Sequence, residues 1–217
     1  MRTWFYIRIA KNGGKSVKHA VAKFPNVVYL TAWKKFYNLH SDLKLENPDH
    51  GYFTVVRNPY ERAVSIWRYA AVGPDRKYVK NWGIDKDITF IDFLSQVKAA
   101  RSGMELSRGL IPYMGDSDKK RSFPEWLVEH TNSQLGVIKS FTNLDDVDFM
   151  LRLEHVYEDK AMLEAVLGGT LRIPHRNKNR GDREYMRFFN DKTTSLSFDL
   201  WGDDFKYLNI LYNLGLE

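Results

Sequence analysis

The stretch WFYIRIAKNGGKSVKHAVAKF, residues 4–24, decides the fold. Its first part, 4–10, is a run of aromatic and β-branched residues that reads as a strand, and KNGGKS after it is a glycine-containing turn. From Ser16 the apolar residues fall at 17, 20, 21 and 24, the spacing of an amphipathic helix, which Pro25 stops. NVVYL (26–30) follows as a second strand, and YFTVV (52–56) is a third that runs straight into RNPYERAVSIWRYA. There Asn58 is a good N-cap, Pro59 suits the first helical position, and Glu61 sits where a capping box places it. The first 70 residues therefore predict an α/β fold, a parallel sheet flanked by helices.

Further along, the pattern predicts a helix over 90–101 capped by Thr89, a loop over 102–122, and a short helix around 124–130. QLGVI (134–138) and VDFMLRLE (147–154) read as strands, and 156–167 as a helix stopped by Gly168 and Gly169. A basic loop covers 171–187 and a terminal helical region 191–214. No repeat or linker divides the chain, so residues 1–217 are expected to form a single domain.

Composition narrows the chemistry. Of 217 residues 43% are hydrophobic, enough for a core without covalent staples, and none is cysteine. That excludes a disulfide framework, a thiol nucleophile and any cysteine-held metal. The six histidines form no metal-ligand spacing, so no metal is expected. No apolar run approaches a membrane span, and no apolar leader opens the chain; the expected location is the cytoplasm, with no membrane partner. The net charge of +6 suits an anionic ligand.

Two places could hold an anion. Lys11-Asn12-Gly13-Gly14-Lys15-Ser16 lies between a strand and a helix, where glycines turn backbone N–H groups inward and a helix N-terminus adds partial positive charge. A nucleotide-phosphate loop of the form GxxxxGK[ST] would need glycine where Ile9 stands, so only its GKS half is present. Arg57 ends the third strand, and Ser65 lies two turns into the next helix. Both places fall at the carboxyl end of the sheet, where open α/β sheets bind ligands. Each has a plain structural explanation: a tight turn for the loop, an ion pair with Glu61 for Arg57, a surface hydroxyl for Ser65.

Together they make the chain recognisable. Residues 10–16 are similar to the PKxGxTS loop of sulfotransferases that use 3′-phosphoadenosine 5′-phosphosulfate (PAPS), and 53–65 resemble that family's FxFVR[DN]P[YFW][ED]RLVS motif. Segments 147–159, 173–179 and the tail WGDDFKYLN are similar to later family stretches, closest to the carbohydrate-type branch. The resemblance implies a P-loop-like fold, PAPS as donor, adenosine 3′,5′-bisphosphate as product, and an acceptor hydroxyl, on a glycan in the branch resembled. Golgi members of that branch carry an anchor and stem, so the expected source is bacterial or viral. Ala10 departs from the family's proline and Lys15 from its threonine.

By the same resemblance, Lys11 is expected to stabilise the leaving 5′-phosphate oxygen. Asn12, Gly13, Gly14, Lys15, Ser16 and Val17 would hold the phosphosulfate, and Arg57 and Ser65 the 3′-phosphate. Asn177 and Lys178 would close over the nucleotide. His40 is the expected base for the acceptor, with His50 as its weaker rival. Two other readings stay open. One is a P-loop kinase-like phosphotransferase, against which stands the absence of a Walker B aspartate where the third strand ends in Arg57. The other is a nucleic-acid-binding module using the basic segment 172–187, which no nucleic-acid motif supports.

Overall fold

The computed structural model describes residues 2–31, 40–44, 46, 48–72, 87–108, 127, 130–174 and 182–212. They fall into two compact units, divided after Asn58. The first takes residues 1–58 and 134–178 and the second most of the remainder.

The first unit holds the whole sheet. Strands β1 (Thr3–Arg8), β2 (Val27–Thr31), β3 (His50–Val56) and β4 (Val147–Arg152) are all parallel, in the order β2-β1-β3-β4. The two central strands are therefore β1 and β3, and the segments leaving their carboxyl ends are neighbours. Helix α1 (Gly14–Val21) joins β1 to β2. Alternation along the strands gives each face its own packing. On one face Trp4, Tyr6, Phe53 and Val55 meet Val17 and Val21 of α1, and Tyr6 stacks on Phe53 with ring centroids 5.0 Å apart. On the other, Phe5 stacks on Tyr52 at 5.4 Å. Between Tyr52 and Phe53 the pairing with β4 slips by a residue, and the carboxylate of Asp148 accepts the Tyr52 N–H at 2.9 Å. A side chain thus satisfies the donor that the slip leaves out of the ladder.

In chain order the second unit supplies α2 (Pro59–Trp67) and α3 (Phe90–Arg108), and the first supplies α4 (Gln134–Lys139) and α5 (Val156–Leu167). The last helix, α6 (Asp191–Tyr212), belongs to the second unit. That unit has its own core, in which Ile66 of α2, Phe93, Leu94 and Val97 of α3, and Trp201 and Phe205 of α6 are buried together. Thr89 caps α3 as expected, accepting the Asp92 N–H at 3.3 Å. Helix α6 kinks at Trp201 (φ −139°, ψ 29°), whose indole N–H donates to the Thr131 carbonyl at 2.6 Å. Arg62, fully inside this unit, donates to the Asn132 carbonyl at 2.8 Å.

Three sequence expectations are corrected. Of the loop expected over 171–187, residues from Asp182 onward lie in a 3-10 helix, Asp182–Phe188, whose apolar Phe188 packs with the second unit's core. QLGVI at 134–138 is helix α4, not a strand. A short apolar run carries no decisive period, and here Gln134, Leu135, Val137 and Ile138 are buried at helical spacing. The segment 102–108, expected to be loop, continues α3; its serine, glycine and charged residues are tolerated on a helix that already has two buried turns behind it.

Candidate active site

The loop after β1 has a backbone set by its sequence. Gly13 is left-handed (φ 69°) and stands as the N-cap of α1, with no side-chain hydrogen bond closing the cap. A Cβ there would lie 2.5 Å from Leu153 Cδ1, and one on Gly14 would lie 2.7 Å from Arg8 Nε. Neither position admits another residue without movement. Lys11 is also left-handed (φ 68°), a strained conformation for a side-chain-bearing residue. The Gly13 carbonyl accepts from Ser16 and Val17 at 2.9 and 3.2 Å. Gly14 and Lys15, at the first two helical positions, have no carbonyl within the helix to donate to. The open N-terminus, its partial positive charge and the two lysines make the loop a fit for a multiply charged anion.

Arg57 follows β3 and is buried, 7% exposed. Its Nη1 donates to the Lys11 carbonyl at 3.3 Å, and its Nε lies 3.4 Å from Glu154 Oε1. Both contacts are long for charge-assisted hydrogen bonds, which prefer about 2.7–2.9 Å. The guanidinium lies against the loop. One ion-pair partner of Arg57 is Glu154, a residue far along the chain.

Asn12 faces inward. Its Nδ2 donates to the Val55 carbonyl at 2.8 Å and to Gln134 Oε1 at 2.6 Å. Gln134 in turn takes the Arg57 N–H at 2.8 Å and gives its own N–H to the Arg57 carbonyl at 2.8 Å. Asn12, Gln134 and Arg57 thus form one buried polar cluster under the loop. Sequence reasoning missed Gln134, and it read Glu154 as the partner of Arg152 in a buried pair. Arg152 instead pairs with Asp159, and Glu154 lies against Arg57. The available signal for Gln134 was a lone polar residue opening an apolar run.

The other predicted residues lie as follows. Ser16 and Val17 are buried in the first turns of α1. Ser65 is buried on α2, in the second unit. Asn177 and Lys178 lie outside the described residues. His40 is not brought to the loop. It packs edge-on against Phe5 and Phe141, and its Nε2 is 2.8 Å from the Tyr52 hydroxyl. Phe5 and Tyr52 belong to the amino-terminal halves of β1 and β3, roughly 10 Å of strand before the carboxyl edge at ~3.3 Å per residue. Burial first, then the charges of Lys44 and His50, push the His40 imidazole down to about 4. Burial, with Asp146 nearby, pushes the Tyr52 hydroxyl up to about 12. His50 lies beside them, edge-on to Tyr52 at 5.4 Å. Among the described residues no cluster of histidines and carboxylates could hold a metal.

A parallel sheet whose first loop opens onto a helix N-terminus, with a buried arginine from the adjacent strand laid against it, defines an α/β protein with a candidate anion site. The family model described as "Sulfotransferase family" matches residues 4–210, and the chain belongs to that family. Comparisons with curated proteins and with solved structures return no match. The protein is accordingly a transferase of sulfuryl groups.

Proposed function

We propose that the donor is PAPS and that the two compact units act as one sulfotransferase domain, since a single family match runs through both. The observation that carries the donor reading is the juxtaposition of Arg57 with the Lys11 carbonyl, which sets a second cation beside the phosphosulfate loop. A nucleotide with phosphates at two positions uses both; ADP or ATP would leave Arg57 without its ligand.

In this reading the amides of Gly13, Gly14 and Lys15, the Lys15 ammonium and the Ser16 hydroxyl bind the phosphosulfate. Asn12 and Val17, whose N–H groups go to the Ile9 and Gly13 carbonyls, shape the loop rather than touch the ligand. Arg57 binds the 3′-phosphate, and the resemblance alone assigns Ser65 to that phosphate and Asn177 and Lys178 to the nucleotide. The acceptor oxygen attacks sulfur, the bond between sulfur and the bridging phosphate oxygen breaks, and its electron pair stays on the 5′-phosphate. The acceptor's proton is released to a base. Lys11 meets the charge that builds on the leaving oxygen, so its effect belongs to the transition state. No metal is required, because lysine, arginine and helix N–H groups supply the positive charge. His40, held neutral in an aromatic setting, is better suited to packing than to taking the acceptor's proton.

The acceptor is proposed to be a carbohydrate hydroxyl, on the resemblance of segments 147–159 and 173–179 to the carbohydrate branch. Incubation with radiolabelled PAPS and a panel of polysaccharides, simple sugars and phenols tests this. Label in a polysaccharide or sugar fraction supports the proposal; label confined to phenols contradicts the glycan acceptor while preserving the donor.

A further inference from the structure

We propose that Gln134, given the donor reading above, is a positioning residue that fixes the distance between the two anion subsites and so enforces selectivity for a nucleotide phosphorylated at both 3′ and 5′ positions. Gln134 is completely buried, at the first position of α4. One side-chain amide makes three short hydrogen bonds: from Asn12 Nδ2 (2.6 Å), from the Arg57 N–H (2.8 Å) and to the Arg57 carbonyl (2.8 Å).

The pair to Arg57 copies what a neighbouring strand would do. The β3–β4 ladder ends at Val56 opposite Arg152, so beyond it the Arg57 backbone has no strand partner on that side. The Gln134 amide takes up that N–H and that carbonyl together. The remaining lone pair of its oxygen holds Asn12, whose own second bond goes to Val55 of the same strand. The phosphosulfate loop and the arginine at the end of β3 are thereby tied to one rigid group. A glutamine is needed for this: it offers an acceptor with two lone pairs and a donor in one plane. Such a buried network is strongly cooperative, and breaking it frees both ends at once.

The test compares wild type with Gln134→Met, which keeps the volume and removes all three bonds. Binding of adenosine 3′,5′-bisphosphate and of adenosine 5′-monophosphate is measured by calorimetry. The expected result is that the ratio of the two affinities falls by about tenfold or more in the variant, mostly through the bisphosphate, since the loop still takes a 5′-phosphate while Arg57 is no longer held to its place. In the ligand-free variant, exchange of the Arg57 amide hydrogen should accelerate by a similar factor. A purely structural role would lower both affinities alike or neither, and that outcome overturns the proposal. So does an unchanged Arg57 exchange rate. A wild type that fails to prefer the bisphosphate overturns the donor reading instead, and with it the selective role of Gln134. Should Gln134→Met not fold, Gln134→Glu keeps the acceptors, loses the bond to the Arg57 carbonyl, and should shift the ratio in the same direction.

Discussion

Lys11 and Arg57 are one hydrogen bond apart, yet they should fail differently when removed. Lys11→Ala should cut kcat strongly with a smaller change in donor KM, because its charge matters most when the leaving oxygen becomes negative. Arg57→Ala should act mainly through donor KM, by ~2–5 kcal/mol, the scale for losing one partner of a buried charge pair. Arg57→Lys should recover only part, lacking the planar fork. Steady-state kinetics with PAPS as the varied substrate separates the two. His40 makes a different prediction. A histidine in the unfolded chain takes up a proton near pH ~6.5, whereas His40 in the folded protein does so only at about 4. Its contribution to stability is therefore fully present above the unfolded value and is lost as pH falls from there toward 4. His40→Gln should flatten that acid limb in denaturation curves and leave kcat near wild type. A fall in kcat of about 10² with stability intact would instead restore His40 as the base.

At the scale of elements, the loop after β1 depends on two glycines for two reasons. Gly13 needs its left-handed backbone, and a Cβ on Gly13 or Gly14 would require the Leu153 or Arg8 side chain to move. Gly13→Ala should cost about 1–3 kcal/mol of stability from strain alone, and chemical denaturation would measure it; a cost near zero would mean that Leu153 and the loop yield freely. These features were legible in the sequence because glycine, lysine and a strand-to-helix switch are local signals. So were β1 to β4, whose aromatic and β-branched runs match the strands seen, and α5, whose bounds were read to the residue. Helix α4 was not legible, since QLGVI suits a strand by composition and becomes helical through what it packs against. Gln134 was hidden for the same reason: its importance lies in partners 122 and 77 residues away, a spacing that no local pattern reports. His40 shows the reverse. Its type suggested chemistry, and the rings it packs against, Phe5 and Phe141, could not be read from any local pattern.

Across the whole molecule, one family match spans both compact units, while the described anion-binding loop and Arg57 belong to the first. Among the described residues no helix is long and apolar enough to cross a membrane. The net charge of +6 alone would have left nucleic acid, ATP and sulfated donors equally open. What separates them in the proposed donor reading is the pairing of an incomplete phosphate loop with a buried arginine beside it. The most direct measurement is a thermal-shift comparison of adenosine 3′,5′-bisphosphate, ADP and ATP, without magnesium and at matched concentrations. A ligand at 100 times its Kd stabilises the folded state by about 2.7 kcal/mol, so a preference is readily seen. The account predicts a clearly larger rise in Tm with the bisphosphate than with ADP or ATP. Equal shifts for all three, or a shift that appears only with magnesium, would contradict it.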